Sequence, residues 1–316
     1  MTMKIIGAGM AGLLAANMLK RRGPTIIESQ ASLPNNHSAI LRFASMRVGD
    51  ACGIPFRPVR MTKTYLPWQN KIADSLAYSA KCSGVIRSDR SITKEALSEE
   101  RWIAPSDLIA RMAEDVQISF SNNFFLDPAR AAHSGPIIST MPMPTLMDAL
   151  GYDKKGINFN WIHGANLRAT IPNCDAYVSL YVPNPGLPFN RISVSGDELI
   201  VEFALTPEFP MTFEQLSAEN QIKRHLQIVI YDCLGLGSKF LPTNGFMTRQ
   251  KYAKIQPIDE TARKQFLSWA TDNFNIFSLG RFATWRPGLL LDDLVQDVQR
   301  IEKWAFADRY SMRFRR

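Results

Sequence analysis

The chain has 316 residues, 46% of them hydrophobic, and a formal charge of +8 at pH 7. That length buries a large core in one or two domains. No apolar run reaches the roughly 18–20 residues of a membrane-crossing helix.

Four cysteines (Cys52, Cys82, Cys174, Cys233) and four histidines (His37, His133, His163, His225) stand apart, with neither C-x-x-C nor ligand spacing. A disulfide framework and a metal site are therefore not expected. The N-terminal apolar segment has no basic stretch before it and no cleavage site, so a cytoplasmic protein is expected, with no membrane partner. The positive charge is uneven. Arg42, Arg47, Arg57, Arg60 and Lys63 face only Asp50 between residues 42 and 63, and the last sixteen residues hold Lys303, Arg309, Arg313, Arg315 and Arg316 against Glu302 and Asp308. An anionic partner is expected from this: a nucleotide, DNA or a phosphorylated metabolite.

In chain order, Lys4 to Ile6 reads as a strand, a glycine turn follows, and an apolar helix runs from about Met10 to Arg22. Gly23-Pro24 ends it, and Thr25 to Ile27 reads as the next strand, closed by Glu28. Gly7, Gly9 and Gly12 stand in the spacing G-x-G-x-x-G, spanning Ala8, Met10 and Ala11. In that pattern Gly7 allows the tight turn, Gly9 lets a pyrophosphate approach the backbone, and Gly12 lets the helix pack on the strand. The helix N-terminus offers N–H groups and a positive dipole end to the phosphates. Glu28 stands where an acid accepts hydrogen bonds from ribose hydroxyls. Together they predict a dinucleotide site.

Ala39 to Ala44 reads as a short buried segment, and the proline-rich stretch 49–67 as an extended excursion. Asn70 to Lys81 has helical character, and Ser91 to Arg101 reads as a second, more polar helix. Pro105-Ser106-Asp107 starts a helix over 108–113. Val116 to Phe120 and Pro136 to Thr140 read as strands, and Met143 to Leu150 as a helix.

The character changes near Gly151. Residues 157–171, 176–182 and 190–203 read as strands separated by turns, with a hairpin at Ser195-Gly196-Asp197-Glu198. Thr212 to Leu234 reads as one long amphipathic helix. Residues 251–258 read as extended, Asp259 to Asn273 as a capped helix, Ile276 to Leu279 as a strand, and Leu290 to Trp304 as a final helix. No internal repeat is present.

The end of the chain, NIFSLGRFATWRPGLLLDDLVQDV, resembles the C-terminal FAD motif of the flavoproteins that include amine oxidases, protoporphyrinogen oxidase and UDP-galactopyranose mutase. The preceding KIQPID, the segment IISTMP at 137–142 and the order of the elements fit the same family. The likeness is strong over the first thirty and last forty residues and loose between them. The mutase pattern T-G-x-I-D-x-x-F is replaced here by Thr140-Met141-Pro142-Met143-Pro144.

The resemblance implies an α/β fold: a Rossmann-like FAD-binding domain from 1–150 and 245–316, and an inserted α+β substrate domain with an antiparallel sheet at 151–244, to which part of 45–100 contributes. It implies FAD as cofactor, held by Gly7 to Gly12, Glu28, Thr140, Gly280 and Arg281. Arg42 is placed at the ribityl or phosphate region, Val116 at the adenine, and the N–H groups of Leu290 and Leu291 at the flavin ring. For catalysis it points to Trp285 beside the ring, Lys254 (or Lys251) near flavin N5, and Arg191 on an anionic substrate group. Trp161, His163 and Tyr181 are further pocket candidates.

The expected activity is FAD-dependent oxidation of a C–N bond in an amine or amino-acid-like group, carried on a small molecule, a nucleotide or a modified DNA base. The alternatives are mutase-type non-redox chemistry on a nucleotide sugar, a non-catalytic dinucleotide binder, and NAD in place of FAD.

Overall fold

The computed structural model describes residues 3–34, 41–86, 97–124 and 135–306. His37, His133, the start of the 39–44 segment, residues 91–96 and the basic tail from 307 lie outside the described residues. The strands are β1 (Lys4–Ile6), β2 (Thr25–Ile27), β3 (Arg42–Phe43), β4 (Arg57–Tyr65), β5 (Leu97–Ile103), β6 (Gln117–Ser119), β7 (Ile137–Ser139), β8 (Trp161–Thr170), β9 (Ala176–Tyr181), β10 (Arg191–Gly196), β11 (Glu198–Leu205), β12 (Gly245–Ile255) and β13 (Ile276–Ser278). The helices are α1 (Met10–Met18), α2 (Arg47–Cys52), α3 (Lys71–Ser83), α4 (Leu108–Ala113), α5 (Met143–Ala149), α6 (Phe213–Ser217), α7 (Glu219–Gln227), α8 (Glu260–Phe274) and α9 (Leu291–Ala305). No helix among the described residues is long and apolar enough to cross a membrane.

Five short strands form a parallel sheet in the order β13-β7-β1-β2-β6. The chain leaves β1 to one side for β2 and reaches β7 on the other. That reversal opens a crevice at the carboxyl ends of the strands, where ligands of such sheets bind. The buried residues of α1, with those of α4 and α9, make the core on this sheet.

The second sheet has eight strands in the order β12-β8-β11-β10-β9-β4-β5-β3, antiparallel except where β4 joins β9. The β10–β11 hairpin turns at Gly196-Asp197, with Gly196, the last residue of β10, at φ +67°, a conformation that excludes most side chains. Strand alternation divides this sheet into two unlike faces. Leu167, Leu180, Ile192, Val194, Leu199, Val201 and Phe203 are buried against Leu226, Val229 and Ile230. On the other face one row across the strands reads Tyr65, Tyr181, Arg191, Glu202, Asn166. The next reads Lys63, Ser179, Ser193, Ile200, Arg168.

Three expectations are corrected. The stretch 97–101, read as part of a polar helix, is β5, because seven residues of ladder with β4 outweigh its local helical character. The stretch 49–67 is not extended throughout: α2 occupies its start and ends at Gly53, φ +67°. The single helix over 212–234 is broken. Ala218 is extended (φ −62°, ψ 136°) between α6 and α7, and residues 228–233 widen into a π turn that keeps Val229 and Ile230 buried.

Candidate functional site

The glycine loop is a backbone cradle. Gly7 has φ +92°, and a Cβ on it would lie 2.3 Å from Thr140 Oγ1. The Thr140 hydroxyl donates to Ile6 O at 2.7 Å and pins the strand end from which the loop departs. A Cβ on Gly12 would lie 1.9 Å from Gly7 O, so α1 packs there without a side chain between. Gly9 differs: nothing lies within 4 Å of its would-be Cβ, and no side chain caps the helix it begins. An open approach, uncapped helical N–H groups and a dipole end fit a pyrophosphate. Glu28 Oε2 accepts from the Ala8 N–H at 2.6 Å and Oε1 from the Gln30 N–H at 2.9 Å, which fixes the acid beside the loop. The cradle thus fits a dinucleotide with an unphosphorylated ribose.

Strand ends bring the other expected cofactor residues to the same edge. Gly7 to Gly12 follow β1, Glu28 follows β2, Thr140 follows β7, and Gly280-Arg281 nearly follow β13. Gly280 takes φ +102°, and its carbonyl accepts from the Thr284 N–H and hydroxyl. Val116 falls at the other end: it precedes β6, three residues or about 10 Å from that edge, with its N–H given to Ala113 O. Ile118 and Ser119 stand closer to Glu28, whose N–H donates to Ser119 O.

The polar face of the eight-stranded sheet carries a cluster of cations. Arg191 Nη2 donates to Glu202 Oε1 at 2.5 Å, and its Nε lies in ion-pair contact with the second carboxylate oxygen without a hydrogen bond. Burial alone would raise the Glu202 carboxyl. The charge and hydrogen bonds of Arg191, with Lys254 and Arg42 behind it, hold the carboxyl below the usual range. Burial opposes the charge on Arg191, and Glu202 overrides it, so that guanidinium stays protonated.

Arg42 reaches across from β3. Its guanidinium donates to Ser179 Oγ at 2.8 Å, Val178 O at 3.3 Å and Met61 Sδ at 2.7 Å, all uncharged. Burial, and then the charge of Arg191, pulls its pKa down to about 10. Arg281 donates from Nε to Leu289 O at 3.0 Å, and burial followed by Arg191 lowers its proton affinity too. Among the described residues neither Arg42 nor Arg281 bonds a carboxylate. The cluster therefore holds one compensated pair and two guanidiniums that hydrogen-bond no carboxylate, a surplus of positive charge that an anion would offset.

The remaining candidates fall as follows. Lys254, on β12 opposite Ile162, acts on Glu202 through its charge, whereas Lys251 is exposed with its ammonium over the Tyr252 ring. Trp285 is 1% exposed, packs on Phe159, Trp161 and Tyr252, and donates from its indole N–H to Gln256 O. Its position is that of a core residue on a φ +49° turn. Leu290 is 49% exposed, and its N–H is engaged by Asp293 Oδ2 at 2.8 Å inside its own helix; Leu291 is half-buried at the first helical position. Asp292 accepts from the Ser45 N–H and hydroxyl and ties α9 to the segment after β3. His163 is half-buried with an unpartnered Nδ1. The basic stretch 42–63 is not one patch: Arg42 is inside, Lys63 pairs with Glu99, and Arg47, Arg57 and Arg60 are exposed.

Glu202, Ser179 and Tyr78 were missed by sequence reasoning. Tyr78 is buried from α3 against Tyr181. The repeat of Glu198 and Glu202 on one parity of an otherwise apolar strand was the available signal.

No protein-family model matches the sequence, and no curated protein does so either. Solved structures do match in fold. Reduced UDP-galactopyranose mutase superposes with a TM-score of 0.65 at 15% identity, over 98% of this chain and 96% of that one. A protein named as a protoporphyrinogen oxidase from Exiguobacterium sp. 255-15 gives 0.62 at 10% identity, over 97% and 99%. Aklavinone-11 hydroxylase in a complex with FAD and aklavinone gives 0.54 at 12% identity, over 96% of this chain and 62% of that one. The chain has the flavoprotein fold that its two ends resemble.

Proposed function

We propose that this protein is an FAD-dependent oxidoreductase of the amine-oxidase kind, which oxidises a C–N bond in an amine or amino-acid-like group. The observation that carries this reading is the cluster on the polar sheet face: one ionised carboxylate beside two guanidiniums that have no acid partner. A group with both an amine and an acid is complementary to that arrangement. Arg42 and Arg281 would hold the acid, and Glu202, kept ionised by Arg191, would sit toward the ammonium.

The glycine cradle, Glu28, Thr140 and the Gly280 turn would hold FAD, which when bound accepts the two electrons and hydrogen removed from the substrate carbon. The imine left behind would hydrolyse in water to a carbonyl compound and a free amine or ammonia. Charge also supports a nucleotide- or DNA-carried substrate, with the exposed Arg47, Arg57 and Arg60 as phosphate contacts.

The two acid-free guanidiniums equally suit the diphosphate of a nucleotide sugar, which is the mutase reading. Turnover separates the two. The visible spectrum of the purified protein should show oxidised flavin, and one amino-acid-like amine, free or attached to DNA, should bleach it anaerobically. A flavin that no amine bleaches, in a protein that is active only when reduced and consumes no acceptor, would replace this reading by the mutase one. A colourless protein that FAD cannot reconstitute would remove both and leave NAD or a scaffold.

A further inference from the structure

We propose that the cavity between α3 and α7 is a second binding site, for a small carboxylic acid with an apolar body. The cavity is bordered by the β9–β10 loop and by the end of β11 with the loop after it, and has a volume of about 640 Å³, inside the usual range for small-molecule sites. None of Arg42, Arg191, Glu202 and Arg281 lines it, and it stands independently of the flavin reading.

Its chemistry follows from three observations. One face of α3 turns Ala77 and Ala80 toward it, and Phe209 and Met211 from the opposite loop complete an apolar wall. From the same face of α3 comes Lys81. Its ammonium donates to Val182 O at 3.0 Å and Asn184 O at 2.7 Å, which leaves one N–H, and no carboxylate among the described residues pairs with it. The third observation is His225 in the wall. It is 3% exposed, its ring lies edge-on to Phe189 and Phe203, and Nδ1 has no partner.

Burial lowers the Lys81 ammonium to about 8, so at neutral pH it remains a cation. At the rim Glu208 and Arg224 are exposed and of opposite sign, so the inner charge is that of Lys81. A half-buried cation lacking a counter-ion gains from an anionic headgroup, and the apolar wall selects what that headgroup is attached to.

The test uses 4-phenylbutyrate and its neutral isostere 4-phenylbutyramide, titrated calorimetrically into the full-length protein. The acid should bind and the amide should bind about tenfold or more weakly, the worth of a charge-assisted hydrogen bond. Lys81→Met should bring the acid down to the affinity of the amide. Ala80→Trp, which keeps Lys81 and fills the cavity, should abolish both. Ala80→Leu repeats that test with a smaller change should the tryptophan disturb folding, and circular dichroism verifies each variant. No binding of either compound at millimolar concentration, equal affinity for acid and amide, or undiminished binding to a folded cavity-filled variant would each overturn the proposal.

Discussion

The two sheets place their chemistry differently. In the five-stranded sheet every strand is three residues long, and the groups assigned to the cofactor lie just beyond the strand ends, mostly as backbone and glycine. In the eight-stranded sheet β8 to β12 run six to eleven residues, and the charged groups lie on the face itself. A site at strand ends is specified by local spacing, because a turn and a helix start are consecutive in the chain. A site on a face is specified by register. Arg42, Ser179, Arg191 and Glu202 meet only because four separate strands pair as they do. The first kind of site suits what a whole superfamily shares, and the second suits what distinguishes one substrate from another.

The largest effect should come from breaking the cradle. In Gly12→Val the new side chain starts 1.9 Å from the Gly7 carbonyl, and backbone cannot yield as a flexible side chain does. We expect a loss of roughly 3 kcal/mol or more and no retained flavin, read from the thermal midpoint and the visible spectrum. Gly9→Ala sharpens the point: its Cβ enters open space at φ −70°, so the fold should be unchanged while cofactor affinity drops. If Gly9→Ala kept full flavin affinity, the pyrophosphate would not lie on that loop.

The next effect belongs to the charged face. Glu202→Gln leaves Arg191 half-buried without its carboxylate and should cost about 3–5 kcal/mol in denaturant unfolding. The double variant Arg191→Met, Glu202→Met removes both charges and should recover most of that loss while abolishing turnover. A double variant no more stable than the single one would mean that the pair does not compensate itself.

These residues also mark where the sequence stopped being legible. The cradle could be read because Gly7, Gly9, Gly12 and Glu28 keep a fixed spacing around a strand, a helix and a strand. The turn at Gly280-Arg281 after β13 could be read because its motif is equally local. Trp285 could not, since its position depends on Phe159, Trp161 and Tyr252, which arrive from two other strands and a loop. Glu202 passed unnoticed because a glutamate on a strand is ordinarily solvated, and only the β10–β11 register puts it opposite Arg191. The break at Ala218 leaves no sequence mark, since alanine is the best helix former.

A smaller effect tests the apolar side of the same sheet. Burial, with Arg224 adding to it, lowers His225 to about 4, against about 6.5 in an unfolded chain. Between those values the unfolded state binds the extra proton, so stability rises with pH and is lost as pH falls from about 6.5 toward 4. The contribution is on the order of 2–3 kcal/mol over that window. His225→Phe should remove this part of the slope in a pH series of unfolding midpoints. An unchanged slope would show that the imidazole is not held neutral against Phe189 and Phe203.

The smallest effect concerns α3, which would serve both proposed sites. Its one polar cap is Asn70, whose side chain accepts from the Ile72 N–H at 3.1 Å and the Ala73 N–H at 3.0 Å. From this helix Tyr78 reaches the charged sheet face and Lys81 reaches the carbonyls after β9. Asn70→Ala should cost about 1 kcal/mol, and Asn70→Asp should cost nothing, since an aspartate keeps the cap and favours the dipole end. The proposed cofactor edge lies in the other sheet, and α3 supplies no group to it, so flavin affinity should be the same in both variants. Should Asn70→Ala weaken flavin binding beyond its effect on folding, the two sheets would be energetically coupled through α3. The separation of the glycine cradle from the charged sheet face would then be one of sequence only, not of energy.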